Sequence, residues 1–330
     1  MAFDVFGFGN TLVDIVMKVD DSHVMELDLR KGTFHLVGED KIRGVLEKFQ
    51  NHRKTTVPAG SAANTVFALS SLGADTVLCG KIGNDPHGDL YEEIVIRDRI
   101  TSRIKRTSDG MTGTVINLVT PDGERTFVVN LGAAVTLRKE DLSDVEEDLS
   151  NSKIFHTEGY VLAHDVLRES AMHLLETAKK SGVKISIDLS DSMLIKNNLE
   201  FLTDVVTKYA DIAFFNEEEA KAFTGLEPEE AVDKISGMCE IAIVKLGSEG
   251  SLIRPRNGKL IRIGTKKVEP VDTTGAGDFY AAGFLYGLSR GKDLRTCGNI
   301  GSIIAGNVVR QIGARPPGNM RELPELKGLL

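Results

Sequence analysis

Val271-Asp272-Thr273-Thr274-Gly275-Ala276-Gly277-Asp278-Phe279 is a polar loop, a turn of small residues and a carboxylate, set directly before a run that reads as a helix. From Tyr280 to Leu288 the apolar residues fall at Ala281, Ala282, Phe284, Leu285 and Leu288, the spacing of a helix with one buried face. The N–H groups of Gly275, Ala276 and Gly277 should then project unpaired from the helix N-terminus. Such an end attracts anions, because unpaired donors and the helix dipole act in the same direction. A bound phosphate would repel Asp278, unless that carboxylate takes a proton from a group attacking the phosphate. The combination predicts an anion hole with a general base beside it, as phosphoryl transfer requires. Standing alone, the residues also fit a capped helix after a tight turn, with Asp278 as ordinary first-turn charge.

Outward from this stretch the pattern alternates. Residues 154–156, 183–189, 210–215 and 241–246 are short, nearly continuous apolar runs, suited to strands buried on both faces of a parallel sheet. Between them, 164–180, 199–208 and 217–223 fit helices, and the pair 62–72 and 75–79 repeats the scheme. Strand–helix alternation predicts an α/β fold with a doubly wound, mostly parallel sheet flanked by helices. Two regions break the pattern. Residues 3–37 carry alternating runs (Phe3 to Phe8, Leu12 to Val19) broken by charged turns, and residues 112–130 read as a hairpin around Pro121-Asp122-Gly123. Both are expected to be antiparallel strands beside the main sheet. They predict a small β-sheet lid, formed by segments near 11–37 and 112–130, on a single domain spanning 1–330.

Composition narrows the class. The chain has 330 residues and a net charge of −8, enough length for a large core and no basic stripe for nucleic acid or a membrane surface. Cys79, Cys239 and Cys297 lie far apart in no metal-ligand spacing, so they are expected to be buried or half-buried thiols in a reducing compartment. The start, Met1-Ala2-Phe3-Asp4-Val5-Phe6, has no basic region followed by an apolar core, and no apolar run nears the roughly 20 residues of a membrane span. A cytoplasmic protein with a small-molecule substrate is expected, with no nucleic-acid or membrane partner.

Two further segments look suited to a hydroxyl-rich ligand. Pro58-Ala59-Gly60-Ser61-Ala62-Ala63-Asn64 precedes an apolar helix; its small residues allow close backbone approach, and Asn64 both donates and accepts. Gly9-Asn10-Thr11-Leu12-Val13-Asp14 is similar, and a carboxylate can accept from two neighbouring sugar hydroxyls. Alone, each segment also reads as a structural turn. Other nucleotide signatures fail: Gly7-Phe8-Gly9 has Leu12 where a dinucleotide fingerprint needs glycine, and Gly80-Lys81 is followed by Ile82 rather than Ser or Thr.

The string 271–279 resembles the C-terminal signature of the ribokinase-like (PfkB) family of sugar and nucleoside kinases. The resemblance extends over essentially the whole chain, to a terminal helix near 298–312. It is nearest to the adenosine kinase branch through Phe6-Gly7-Phe8-Gly9-Asn10 with Asp14, the long insertion through Val37, Gly60-Ser61 with Asn64, and Asn130-Leu131-Gly132-Ala133-Ala134. Asn216-Glu217-Glu218-Glu219-Ala220 matches the family's Asn-x-x-Glu element. One departure stands out. Gly159-Tyr160-Val161 carries one aromatic where the adenosine kinases carry two, so Tyr160 is either the base-stacking residue or part of the core.

By this resemblance Asp278 is the catalytic base and Gly275, Ala276 and Gly277 form the anion hole. Asp14 would hold ribose hydroxyls with Gly60 and Asn64, while Asn10, Leu12 and Ser61 lie near base or ribose. Arg125 would swing over the transferring phosphate as a clamp. The loop Lys245-Leu246-Gly247-Ser248-Glu249-Gly250, with Thr274 and Asn307, would line the ATP site, and Asn216 and Glu219 would organise Mg²⁺ through water. A monovalent cation (K⁺) near Asp272 and either a monomer or a homodimer are also compatible with the family. The expected reaction is ATP-dependent phosphorylation of the 5′-hydroxyl of a ribonucleoside. A carbohydrate kinase acting on ribose, fructose or a sugar acid is the alternative, and a non-catalytic ligand sensor a more distant one.

Overall fold

The computed structural model describes residues 3–330; Met1 and Ala2, the first residues of the amino-terminal stretch read above, lie outside the described residues. In chain order the strands are β1 (Phe3–Phe8), β2 (Leu12–Lys18), β3 (Phe34–Leu36), β4 (Lys54–Ala59), β5 (Thr76–Gly83), β6 (Thr101–Thr107) and β7 (Gly113–Val119). They continue with β8 (Arg125–Asn130), β9 (Ser152–Glu158), β10 (Lys184–Asp188), β11 (Ile212–Asn216), β12 (Ile241–Lys245), β13 (Ser251–Pro255) and β14 (Ile261–Ile263).

Nine strands form one sheet in the order β14-β13-β12-β11-β10-β9-β1-β5-β6. Every pair from β12 to β6 is parallel, and β13 and β14 close one edge antiparallel. The apolar runs read from the sequence are its strands β9 to β12, and helices Asp165–Lys180, Leu199–Tyr209 and Glu217–Thr224 lie between them. Successive residues serve opposite layers, as a strand's period of two requires. Phe215 and Val244 pack on one side with Leu174, Leu175 and Val206, whereas Phe214 and Ile243 pack on the other with Phe279, Phe284 and Ile300.

On that second side helix Ala276–Ser289 crosses helix Leu294–Val308 closely. A Cβ on Gly283 would stand 2.7 Å from Gly301, so the crossing depends on two glycines. The last helix starts and stops four residues earlier than its sequence estimate, because Asp293 caps it by accepting from the N–H groups of Arg295 and Thr296.

A second, five-stranded sheet has the order β3-β8-β7-β2-β4. Its hairpin β7–β8 is antiparallel around the predicted turn, whereas β2–β7 and β3–β8 are parallel. Val13, Ile15 and Met17 of β2 enter a core with Phe67, Tyr91 and Ile116, which leaves Leu12, Asp14 and Val16 on the opposite face.

Two sequence readings need correction. Phe3–Phe8 is not an antiparallel strand beside the main sheet but its central parallel strand, between β9 and β5. The apparent alternation came from Asp4, which is buried and neutralised by Lys153 and Arg290. The stretch around Pro58, read as a turn, ends a strand, β4. It lies at a sheet edge, where a proline's missing donor is tolerated. The three cysteines are free and buried. Among the described residues no helix is long and apolar enough to cross a membrane.

The chain runs from β1 toward β5 and β6 on one side, and later fills β9 to β12 on the other. Open α/β sheets bind ligands at the carboxyl ends of strands flanking such a reversal.

Candidate active site

The carboxyl ends of the central strands carry polar side chains. β9 ends on Glu158, β10 on Asp188, β11 on Asn216 and β12 on Lys245. They face a cavity of about 960 Å³ that runs between the large sheet and the small one. Of the residues singled out from the sequence, Asn10, Leu12, Asp14, Gly60, Ser61, Asn64, Tyr160, Asn216, Glu219, Lys245, Gly247, Gly250, Thr274 and Gly275 to Asp278 all line it.

Asp278 sits in the first turn of helix Ala276–Ser289. Ser61 Oγ donates to its Oδ1 at 2.7 Å and Asn64 Nδ2 to its Oδ2 at 2.8 Å. Both donors come from the first turn of helix Ser61–Ser71, so one helix start holds the carboxylate of another. Burial pushes the Asp278 pKa up to about 7, against the pull of those hydrogen bonds. A carboxylate that exchanges its proton near neutrality suits general-base work.

Gly275 takes φ +76°, and a Cβ there would lie 2.3 Å from that of Ala314. The Ala276 N–H is turned back onto the Thr273 carbonyl at 3.2 Å, whereas those of Gly275 and Gly277 have no backbone acceptor. The turn thus offers two glycine N–H groups rather than the expected three, with that of Ala276 engaged.

At the other end of the cavity, Asp14 and Leu12 share the inner face of β2. Burial, then the charge of Asp272, raises the Asp14 pKa to about 7. Across the small sheet Asp14 is in register with Val115, Val115 with Val129 and Val129 with Leu36, so the wall beyond Asp14 turns apolar; Phe34, Val135, Leu194 and Tyr160 also line the cavity. Phe34 and Leu36 remain 64% and 66% exposed, and Tyr160 44%; all three are cavity wall rather than core.

Glu158 and Asp188 were missed in the sequence. Glu158 is fully buried and accepts from Asn10 N, Asn10 Nδ2 and Ala62 N at 3.0, 3.1 and 2.6 Å. It thereby ties the β1–β2 turn to helix Ser61–Ser71. Burial raises its pKa to about 7 against those three donors. Asp188 accepts from Lys245 Nζ at 2.6 Å. Both stand at the carboxyl end of a strand, as Asn216 does.

Asn216 and Glu219 bind each other: Asn216 N and Nδ2 donate to the two carboxylate oxygens, and Asn216 Oδ1 accepts from Glu219 N. With both oxygens engaged, Glu219 fits a Mg²⁺ that keeps its waters better than one ligated directly. Among the described residues no three acidic, His or Cys side chains are grouped to hold a metal. Asp272 accepts from Thr274 N, Thr274 Oγ1, Gly313 N and the Arg125 guanidinium. Three of these donors fall on Oδ1 and one, Gly313 N, on Oδ2.

Arg125 and Asn307 do not line the main cavity. Arg125 pairs with Asp272 through one guanidinium nitrogen at 2.9 Å. Asn307 lines a second cavity of about 410 Å³, with Gly264, Thr265, Ser302 and Gly306.

A doubly wound sheet with a small sheet over its carboxyl edge, and a carboxylate beside a glycine-lined helix start, defines an α/β phosphotransferase. Residues 35–320 match the profile of the pfkB family carbohydrate kinases, and the chain belongs to that family. It is accordingly an ATP-dependent kinase. A 5-dehydro-2-deoxygluconokinase of Bacillus subtilis is 29% identical over 76% of this chain and 80% of its own. A probable sugar kinase of Rhizobium etli CFN 42 superposes with a TM-score of 0.89, at 29% identity and full coverage of both chains. The adenosine kinase of Sinorhizobium meliloti gives a TM-score of 0.86 at 30% identity, over 97% of this chain and 98% of that one.

Proposed function

We propose that this kinase transfers the γ-phosphoryl group of ATP to the 5′-hydroxyl of a ribonucleoside. The observation that carries the choice of acceptor is the apolar wall beyond Asp14, formed by Leu12, Phe34, Leu36, Val115, Val129 and Tyr160. A free sugar has hydroxyls for Asp14 and Asn64 but nothing to place against that wall, whereas a nucleobase gains by burying its faces there. The adenosine kinase similarity supports this reading. The 5-dehydro-2-deoxygluconokinase similarity favours a sugar acid. Against it, the lining holds Asp14, Glu158, Asp188, Glu217, Glu218, Glu219 and Asp278, with Lys245 already paired. A substrate carboxylate would find Lys245 as the one lysine or arginine among the described residues of that lining, already paired with Asp188.

In this reading Asp14 accepts from the ribose 2′- and 3′-hydroxyls, Asn10, Gly60 and Ser61 line the ribose, and Tyr160 stacks on the base. Asp278 takes the 5′-hydroxyl proton as that oxygen attacks, and the glycine N–H groups receive the phosphoryl oxygens. The Lys245–Gly250 loop and Thr274 flank the nucleotide, and Asn307 lies by its adenine in the second cavity. Mg²⁺, arriving with ATP and oriented by Asn216 and Glu219, would neutralise phosphate charge. The small sheet acts as a lid that excludes water. The test is ATP consumption with adenosine, other nucleosides, ribose, fructose and sugar acids offered separately. Turnover confined to nucleosides is expected; turnover confined to sugars or sugar acids would overturn the choice of acceptor.

A further inference from the structure

We infer that Lys245 is a catalytic residue: its ammonium, braced by Asp188, touches the phosphoryl group in transit and supplies the fixed positive charge that the sequence had assigned to Arg125. The inference rests on the kinase reading above, with Asp278 as base.

Position comes first. Lys245 Nζ lies 2.6 Å from Asp188 Oδ2, and a Cβ on Gly277 would stand 3.0 Å from that nitrogen. The ammonium thus packs beside the Cα of Gly277, and a side chain at 277 would press against it. Both partners are withdrawn from solvent, with side-chain exposures of 13% and 4%, yet both remain part of the cavity wall. Nζ also stands 5.9 Å from the centre of the Phe214 ring.

Charge comes second. Burial favours neutral lysine, but Asp188, Glu219 and Asp278 together outweigh it, and the Lys245 pKa is raised. The cation is therefore permanent. A carboxylate-rich cavity that admits a triphosphate needs such a charge, and in a water-poor site it acts more strongly than in bulk water. Arg125 is committed to Asp272 instead.

The transfer balances without a further reactant. The acceptor oxygen forms a bond to Pγ, the bond from Pγ to the bridging oxygen breaks with its electron pair leaving on ADP, and the hydroxyl proton passes to Asp278. Negative charge spreads over the phosphoryl oxygens as this happens, and Lys245 offsets it from beside Gly277.

The experiment compares the full-length parent with Lys245→Met, Lys245→Arg, Arg125→Met and Asp278→Asn. It reads kcat, both KM values, the pH profile, and formation of the MgADP–aluminium fluoride complex with acceptor present. Lys245→Met should lower kcat by ~10²–10³, leave the acceptor KM unchanged, keep ADP binding and lose the fluoride complex. Lys245→Arg should recover part of kcat. The acid limb should also move to higher pH. Asp278 is faced by Ser61 and Asn64, by Asp188, and by Tyr160, and Lys245 is the cation among its neighbours that lowers its pKa.

If Lys245→Met does not fold, the pair is removed together as Asp188→Asn with Lys245→Met. Parent-like kcat and fluoride trapping in either form would overturn the inference, as would a larger loss from Arg125→Met. An active Asp278→Asn would instead remove the kinase reading on which it rests.

Discussion

Asp278, the proposed base, is held by Ser61 and Asn64 across 217 and 214 residues of sequence. Asp278→Asn should therefore fold and bind both ligands while losing on the order of 10²–10⁴ in kcat; steady-state kinetics and a thermal melt check this together. Because the base is the ionised form and its pKa lies at about 7, kcat in the parent should rise with pH through that value. A flat profile between pH ~5.5 and ~8.5 would contradict the assignment. Asp14→Asn should raise the acceptor KM and leave the KM for ATP nearly unchanged. At this scale the sequence was most readable where a motif is local. The residues of 271–279 gave the helix start and the candidate base, but Glu158 and Asp188 become meaningful only through partners 148, 96 and 57 residues away. Composition and spacing carry no trace of such contacts.

Helix Ser61–Ser71 is the element on which the site depends, since its first turn holds both Asp278 and, through Ala62 N, Glu158. Its preceding residue, Gly60, takes φ +116°, and a Cβ there would lie 1.9 Å from the Asn10 carbonyl oxygen. Gly60→Ala should accordingly cost about 1–3 kcal/mol and raise the acceptor KM by displacing Asn10 from Glu158. A denaturant melt and acceptor titration read the two effects; an unchanged pair would show that this turn does not position the site. The strands of the large sheet were legible because burial on both faces leaves an unbroken apolar run. β1 and β4 were not. In β1 a buried, ion-paired Asp4 imitates a half-exposed strand, and in β4 Pro58 imitates a turn at the one place a sheet tolerates it.

Across the whole molecule, Asp14, Glu158, Glu219 and Asp278 all have pKa values raised to about 7. In the unfolded chain such groups ionise near ~4. Between these values the native state holds protons the unfolded state has released, so their contribution to stability is lost as pH rises from ~4 to ~7. Buried His156, held down at about 4, contributes in the opposite sense over the same window, so the prediction is a difference: from pH ~4 to ~7 the melting temperature of Asp278→Asn should fall less, or rise more, than that of the parent. Equal slopes would mean that Asp278 is ordinary in the folded state. Fold class was accessible from alternation alone, yet strand order was not, because nothing local says that β9 turns to the other side of β1. That reversal brings the acceptor-side residues of the β1–β2 turn against the β9–β12 strand ends. The choice between nucleoside and sugar is likewise a property of the whole cavity, set by a wall drawn from the small sheet and the segment after β9.

The most direct test of the account is the ³¹P NMR spectrum of the product formed from MgATP with adenosine, ribose and 5-dehydro-2-deoxygluconate offered separately. The account predicts a phosphomonoester from adenosine whose signal is split by the two protons of C5′, absent with Asp278→Asn. A monoester formed only from ribose or the sugar acid would contradict the proposed acceptor, and an undiminished adenosine signal with Asp278→Asn would contradict the proposed base.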